Sequence, residues 1–194
     1  MFIELTDILR CPADHAEGFL VLLPDGVVDR QVESGQLGCL ECGAVYPVRR
    51  GVAEFGPAPA EVEGSARLTG PALAALLGLA GPGGYVALVG GAASDWQGLL
   101  AARDGIHVLG VNPPAGTPTG RGLSVAQGPT IPVRSRYLRG VALGPGVADD
   151  PAWVAEAARA VLPGRHIVGE GATPPAAGLE VLASADGVWV ARAG

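Results

Sequence analysis

Three cysteines, all within the first 42 residues, constrain the fold of this chain more than any other sequence feature. Cys39 and Cys42 form a C-x-x-C pair followed by Gly43, and Cys11 lies upstream in the stretch Cys-Pro-Ala-Asp-His. Thiolates at positions i and i+3 can converge on one cation, and an odd number of cysteines containing such a pair favours a metal site over a disulfide framework. We therefore expect a small metal-stabilised unit near the N-terminus.

The first half of this predicted metal site is incomplete. Cys11 is followed at i+3 by Asp14, whose carboxylate could bind, and at i+4 by His15, a softer ligand that the loop would have to turn inward. The candidate metal ligands are therefore Cys11, Asp14, His15, Cys39 and Cys42, and the expected ion is zinc. The choice between Asp14 and His15 stays open, as does a metal-free ribbon with three buried thiols.

Short apolar segments and turns surround the cysteines. They predict one or two helical turns over Ile3–Arg10, a strand over Phe19–Leu23 and a turn at Pro24-Asp25-Gly26. A second strand or loop is expected up to Leu37, and a short strand over Val45–Val48. About fifty residues with few large apolar side chains would be marginally stable without a metal or another cross-link. We predict a zinc-ribbon-like β domain over residues 1–55. The Pro-, Gly-, Ala- and Glu-rich residues 56–66 have the composition of a linker.

The charge distribution also separates two units. Residues 1–65 contain 4 arginines and 11 acidic residues, a net charge of −7, whereas residues 66–194 contain 9 arginines and 8 acidic residues, a net charge of +1. The overall charge of −6 argues against a nucleic-acid partner, because neutralising phosphates needs a basic surface.

The remaining residues, 67–194, alternate apolar strands with helices. Strands are predicted over Tyr85–Val89, Ile106–Val111, Leu123–Ala126, Gly140–Leu143 and His166–Val168, and helices over Leu73–Leu79, Ser94–Arg103 and Ala152–Leu162. Pro163-Gly164 is expected to stop the last helix, and Leu179–Leu182 with Val188–Ala191 predicts a terminal hairpin around Asp186-Gly187. Such alternation implies a parallel sheet covered on both faces. The fold class is therefore α/β.

No targeting or membrane segment is expected. Glu4 and Asp7 lie where a signal peptide would have a basic start and an apolar stretch. The most apolar region, Leu68 to Gly90, is interrupted by glycines and prolines and is too broken for a membrane span. A reduced C-x-x-C pair adds to the expectation of a cytoplasmic protein.

The strings LTDILRCPADH and LGCLECGAVYPVRRGVAEF give residues 5–55 a specific resemblance. They are similar to the small bacterial zinc-ribbon proteins related to the eukaryotic activator subunit of tRNA, rRNA and protein methyltransferases. The shared pattern is a Leu-rich lead into C-P-x-C, then C-x-x-C-G, an aromatic-Pro pair and a closing R-x-G segment. This chain lacks the second cysteine of the first pair. The resemblance implies a zinc-binding, non-catalytic unit that stabilises a methyltransferase partner.

The second unit resembles a class I S-adenosylmethionine methyltransferase over about residues 68–192. The strings YVALVGGAASDW, IHVLGVNPP, VAQGPTIPVRSRYLRGVAL and AARAVLPGRHIV follow one another in the order of that family. The resemblance implies a truncated Rossmann-like sheet with a C-terminal antiparallel hairpin. It also implies that Gly90, Gly91, Asn112 and Gln127 are the residues that would bind the cofactor.

The acidic residues that such a cofactor site needs are replaced. A carboxylate at the end of the second strand normally binds the ribose hydroxyls, and Asn112 stands in its place. Gln127 replaces the acid near adenine, while Leu88 and Arg139 replace two further acids. No Ser, Cys or Asp partner for nucleophilic catalysis accompanies His166. We assign no catalytic residue.

These observations favour a non-catalytic binding or scaffold protein, built from a zinc ribbon and a pseudo-methyltransferase domain. Its expected partner is another protein or a second copy of itself. The alternative is an active S-adenosylmethionine-dependent methyltransferase with an atypical cofactor pocket, and a metal-dependent sensor is a weaker third hypothesis.

Overall fold

The computed structural model describes residues 1–57, 66–118, 120–172 and 178–194. Most of the predicted linker lies outside these residues. The N-terminal part contains a 3₁₀ helix, Ile3–Ile8, and strands over Leu20–Val28 (β1), Gln31–Cys39 (β2), Val45–Arg49 (β3) and Val52–Glu54 (β4). These four strands pair antiparallel in chain order and form the ribbon.

The second part alternates helices and strands, as predicted. Its strands are Tyr85–Val89 (β5), His107–Val111 (β6), Leu123–Gln127 (β7), Leu138–Leu143 (β8), Val161–Glu170 (β9), Leu179–Ala185 (β10) and Val188–Ala193 (β11). Its helices are Gly70–Leu76 (α1), Trp96–Ala102 (α2) and Pro151–Ala160 (α3), with a 3₁₀ helix over Gly90–Asp95. None of the described helices is long and apolar enough to cross a membrane.

Helix caps show how the local sequence sets these boundaries. The Asp150 carboxylate accepts a hydrogen bond from the amide of Ala152 over 2.8 Å, so Asp150 caps α3, which has Pro151 in its first turn. Helix α2 is not capped at Ser94, where the predicted helix begins. The Asp95 carboxylate accepts from the amide of Gly98 instead, because the preceding residues form a 3₁₀ turn and delay the start of α2.

Two proline-containing segments lie inside strands, and one of them was predicted as a turn. Pro24-Asp25-Gly26 belongs to β1, where the register shifts around Gly26, and the hairpin turn falls at Asp29 and Arg30. Helix α3 ends before Pro163-Gly164 as predicted, at Ala160, and these two residues belong to β9, which begins at Val161 and bulges between its pairings with Leu138 and Gly140. Bulges and edges are the places where a strand tolerates proline.

The strands form one sheet in the order β1-β2-β3-β4-β7-β6-β5-β8-β9-β11-β10. Strands β7, β6, β5, β8 and β9 are parallel, and β10 and β11 form the predicted antiparallel hairpin. The order reverses between β5 and β8, which is the switch point where doubly wound sheets bind their ligands. The predicted α/β class, with a small N-terminal β region and a C-terminal antiparallel hairpin, is confirmed.

The ribbon is joined edge to edge with the α/β sheet. Strand β4 pairs parallel with β7, with Val52 opposite Val125 and Ala53 opposite Ala126. The amide of Phe55 extends the ladder by donating to the carbonyl of Gln127 over 2.7 Å. The predicted division into domains of 1–55 and 67–194 stays a prediction, but hydrogen bonding is continuous across it.

Each face of the sheet carries a separate apolar core. One core runs under the whole sheet and contains residues from the ribbon, such as Leu5 and Leu37, together with Leu109 and Trp189 of the α/β part. The other core contains the inward faces of α1 and α2 and the strands beneath them. The ribbon and the α/β part therefore share one continuous core on one side only.

Candidate metal centre and cofactor edge

Four ligand atoms from Cys11, His15, Cys39 and Cys42 lie within 4.8 Å of one another. The Cys11 and Cys42 sulfurs are 3.8 Å apart, and the Cys39 sulfur lies 3.5 Å from Nε2 of His15. Zinc bonds of about 2.3 Å to sulfur and 2.0 Å to nitrogen give tetrahedral edges of about 3.8 Å and 3.5 Å. The Cys₃His set therefore fits a tetrahedral zinc ion in both chemistry and size.

The loop between Cys39 and Gly43 is built by backbone hydrogen bonds. The amide of Gly43 donates to the Cys39 carbonyl over 3.0 Å, and the amide of Cys39 donates to the Ala44 carbonyl over 2.8 Å. Gly43 has φ of +70°, a conformation that glycine adopts at little cost. This turn places Cys42 beside Cys11, which follows the strand-like pair of Arg10 with Phe19.

His15 is the fourth member of the cluster, whereas Asp14 is not part of it. The amide of His15 donates to the Ala13 carbonyl over 3.0 Å, a tight turn that brings the imidazole inward. Nδ1 of His15 lies 2.7 Å from the Ala16 carbonyl, and this hydrogen bond raises the pKa of His15. A proton on Nδ1 leaves the Nε2 lone pair directed at the cluster, as metal-binding histidines require.

Tyr46 supports the cluster, a role that the sequence did not indicate beyond the aromatic-Pro pair. Its hydroxyl lies 3.0 Å from the Cys11 sulfur and donates to it when the sulfur is a thiolate. Burial of Cys11 opposes ionisation, but hydrogen bonds from Tyr46 and its other neighbours bring the pKa of this thiol below its usual value. The Tyr46 ring packs against Phe55, with centroids 5.0 Å apart, which fixes the hydroxyl.

Charged residues on both sides of the Cys11 loop attach the cluster to the α/β part. Glu17 accepts hydrogen bonds from the amide and hydroxyl of Ser135 and pairs with Arg159 of α3 over 3.3 Å. Arg10 pairs with Glu156 of the same helix over 3.4 Å. Because these residues flank the loop that carries Cys11 and His15, the metal cluster and the junction are parts of one connected structure.

A second cluster at the junction was not predicted either. Nε2 of His107 lies 2.9 Å from the Ser124 hydroxyl, which also accepts from the amide of Phe2 over 2.9 Å. The His107 ring stacks on Phe2, with centroids 4.7 Å apart. Burial, with a smaller contribution from the Met1 ammonium group, lowers the pKa of His107 to about 4. A neutral, half-buried imidazole thus connects the N-terminal segment to β6 and β7.

At the cofactor edge, the glycine-rich turn after β5 is preserved but closely packed. Gly90 has φ of +59°, which suits a glycine directly after the strand. A Cβ on Gly144, just after β8, would lie 2.7 Å from the amide nitrogen of Gly91 and 2.6 Å from that of Ala92. The ends of β5 and β8 therefore meet at this turn through their backbones.

Asn112 and Gln127 stand at the ends of neighbouring strands, yet neither presents a carboxylate. The Asn112 side chain donates to the Gly128 carbonyl over 2.8 Å and accepts from the Gly128 amide over 2.9 Å. Gln127 is exposed, and Leu88 is fully buried. Arg139 binds the carbonyls of Ala80 to Gly83 before β5, at the opposite end of the sheet from the cofactor edge.

A family model matches only the N-terminal part of the chain. Residues 3–51, about a quarter of the chain, match the model of a family described as Trm112p-like protein. No curated protein sequence matches the chain. The N-terminal resemblance to the methyltransferase-activator family is thereby confirmed.

Solved structures similar to the chain include three proteins of low sequence identity. They are the [4+2]-cyclase SpnF (14% identity, 66% of each chain, TM-score 0.45), the pyocyanin biosynthetic protein PhzM (15%, 66% of this chain and 55% of that one, 0.46) and the antibiotic-resistance methyltransferase Kmr (16%, 68% and 95%, 0.43). The chain thus spans less than two thirds of the length of SpnF and PhzM. At these values the similarities bear on neither substrate nor activity.

Proposed function

We propose that this protein, a Trm112p-like unit joined to a methyltransferase-like α/β fold, is a non-catalytic binding or scaffold protein. The observation that supports the proposal concerns the side chain of Asn112, the residue that the methyltransferase resemblance aligns with a ribose-binding carboxylate. Both of its polar atoms are engaged by the backbone of Gly128. A ribose would have to compete with these two hydrogen bonds and would gain no charged acceptor in return.

The energetic cost of this replacement supports the same function. A hydrogen bond to a charged group contributes about 1.5–3 kcal/mol, roughly twice a neutral one. Losing two such bonds at the ribose would weaken cofactor binding by on the order of a hundredfold or more. The replacement of a further acid by Leu88 adds to the loss, since its side chain cannot accept a hydrogen bond.

The proposed metal role is structural. Cys11, His15, Cys39 and Cys42 would hold zinc, and four protein ligands leave no position open for a substrate. When bound, the ion would cross-link the loop that carries Cys11 to the end of β2. Glu17 and Arg10 would then be held in place against α3. The free thiols of all three cysteines agree with a reducing compartment, and we propose a cytoplasmic location.

An active S-adenosylmethionine-dependent methyltransferase remains the second candidate function. It is favoured by the turn at Gly90, which follows β5 at the switch point of the sheet. In that case Gly90, Gly91, Asn112 and Gln127 would hold the cofactor through backbone and amide groups.

Calorimetric titration of the zinc-quantified protein with S-adenosylmethionine tests the proposal. We expect no heat of binding at millimolar cofactor. Micromolar binding would overturn the proposal, and loss of that binding in Gly90→Leu would assign it to the turn after β5. The same titration of Asn112→Asp is the matched comparison, because it restores the carboxylate at the ribose position.

A further inference from the structure

The ribbon carries an exposed apolar surface that the α/β part leaves uncovered. Seven of the ten exposed large hydrophobic residues among the described ones lie between positions 19 and 45. Four of them on one side of the ribbon sheet, together with the half-buried Pro47, form what we call the outer ribbon face, which consists of Phe19, Val21, Leu23, Val45 and Pro47. The exposed fractions of Phe19, Leu23 and Val45 are 59%, 62% and 57%.

Strand register makes this face continuous. Val21 pairs with Gly38, which in turn pairs with Val45, so the two valines flank a glycine across three strands. Leu23 is aligned with Pro47 in the same way through Gln36. The alternate residues of these strands, among them Leu20, Leu37 and Val48, are buried in the core on the other side. The alternation therefore gives the ribbon two apolar faces, of which one is open.

The size of the face limits what can bind there. In the direction of β1 the face runs over five residues, from Phe19 to Leu23, which is about 13 Å, and across β1, β2 and β3 it is about 10 Å wide. A stable protein–protein interface buries about 800 Å² on each partner, several times this footprint. Two turns of an α-helix are about 11 Å long and 10 Å wide, and they match it. A short helical segment fits the outer ribbon face, whereas a second copy of the whole chain would need more surface.

The edge beside the face does not favour addition of a strand. In β1 the register shifts on both sides of Gly26, and Pro24 lacks an amide proton. Bulges and proline at an edge strand hinder pairing with another strand. A partner is therefore expected to lie on the face and not along the edge.

The charge around the face selects a basic partner. Asp25 follows the apolar segment on β1, and the Glu41 side chain lies beside Gly18, just before Phe19. Both acidic residues are exposed, and neither forms an ion pair within the described residues. The guanidinium of Arg134 already lies over the Phe19 ring, 4.4 Å from its centroid, in a cation–π contact. A second acidic ribbon would be repelled.

We propose that the outer ribbon face binds a short basic amphipathic helix of a protein partner. Its apolar side chains pack on Val21, Leu23 and Val45, and its Lys or Arg side chains reach Asp25 and Glu41. This assignment rests on the proposed scaffold function, because it names the surface and the class of partner through which that function operates.

A synthetic probe tests the face directly. The probe is a fluorescein-labelled helical peptide with leucines on one side and lysines on the other, and its counterpart carries glutamates in place of the lysines. We expect the lysine peptide to bind the zinc-loaded full chain and the glutamate peptide not to bind. Val21→Asp and Val45→Asp should each weaken binding by about tenfold or more, as central contacts of a small interface do.

Val181→Asp is the matched control, because Val181 on β10 is 42% exposed and Val21 is 41% exposed. It should leave peptide binding unchanged, and unchanged zinc content and melting temperature would show that every variant is folded. Equal binding of both peptides, equal weakening by Val181→Asp, or a dimer that Val21→Asp dissociates in sedimentation would each overturn the proposal. Cofactor binding in the calorimetric test would overturn the scaffold function alone, since that site lies on other strands.

Discussion

At the scale of single residues, the turn from Ala13 to Ala16 decides which side chain completes the metal cluster. We expect His15→Ala to lower zinc affinity by at least about a hundredfold, because losing a ligand exceeds the 10- to 100-fold effect of losing a supporting group. Asp14→Ala should retain one zinc per chain, since Asp14 is outside the cluster. Metal content after dialysis against a weak chelator measures both. Zinc loss in Asp14→Ala with retention in His15→Ala would contradict the assignment.

The Tyr46 hydroxyl supports the Cys11 sulfur without binding metal itself. Tyr46→Phe keeps the ring against Phe55 but removes the donor, so zinc affinity should fall by about tenfold. Competition with a chromophoric chelator gives the affinity. Tyr137→Phe, which alters an exposed tyrosine, is the control and should have no effect. Identical affinities in all three proteins would show that the hydroxyl is dispensable.

His107 should make the protein sensitive to mild acid. Its folded-state pKa is about 4, whereas the unfolded chain has the ordinary value of 6.5. Between these values only the unfolded state takes up the proton, so stability is complete above pH 6.5 and declines toward pH 4. The loss from pH 7 to pH 5 is about 2 kcal/mol.

Urea unfolding at pH 7 and pH 5 measures this loss. His107→Gln cannot take up the proton, so the difference between the two pH values should be smaller by about that amount. A variant with the same pH dependence as the unaltered protein would rule out His107 as its source.

At the scale of secondary-structure elements, Arg159 joins α3 to the segment that contacts the ribbon. Its guanidinium donates to the carbonyls of Ile131 and Val133 over 2.9 and 2.7 Å and pairs with Glu156 over 3.0 Å. Arg159→Met should destabilise the protein by about 2 kcal/mol or more, because these partners lose their donors in a half-buried setting.

Arg192→Met is the comparison, because it removes an exposed pair with Glu180 and should cost less than about 0.5 kcal/mol. Thermal or urea unfolding of the two variants tests the contrast. Equal destabilisation would mean that the Arg159 contacts contribute no more than surface charges.

The spacing of apolar residues predicted most of the helices and strands, because burying one side of a helix or strand sets that spacing. Strand β5 has the predicted bounds Tyr85–Val89, and the terminal hairpin turns at Asp186 and Gly187 as predicted, both with positive φ. The proline at 24 led to the wrong prediction of a turn, because a residue's tolerance for proline depends on whether its amide faces a neighbouring strand. That information is fixed by tertiary pairing and not by the local sequence.

The same distinction applies to the candidate site. Ligand spacing predicted the cysteine cluster, since C-x-x-C is local. The choice of His15 depended on the hydrogen bond to Ala13, and the contact of Tyr46 with Cys11 depends on how β3 pairs with β2. The contact of His107 with Ser124 requires β6 and β7 to be neighbours. Contacts between segments that are distant in the sequence could not be predicted from local sequence patterns.

At the scale of the whole molecule, the shared core predicts cooperative unfolding. Because residues of the ribbon and of the α/β part are buried in one cluster, removing zinc should lower the melting temperature of the entire chain. A zinc contribution of about 3 kcal/mol would correspond to a shift of about 10 °C for a chain of this size. Calorimetry with and without chelator should show one transition in both cases. A separate early transition confined to the ribbon would contradict this expectation.

The pairing of β4 with β7 inside one chain affects how many ribbons are available to other proteins in the cell. Two units on one polypeptide meet at an effective concentration on the order of millimolar, far above the abundance of most free proteins. Each ribbon is therefore made together with its own α/β unit in a ratio of one to one. A free protein that recognises the edge of β4 would have to displace β7 of the same chain. The ribbon of this chain is therefore not available to other proteins that bind at that edge.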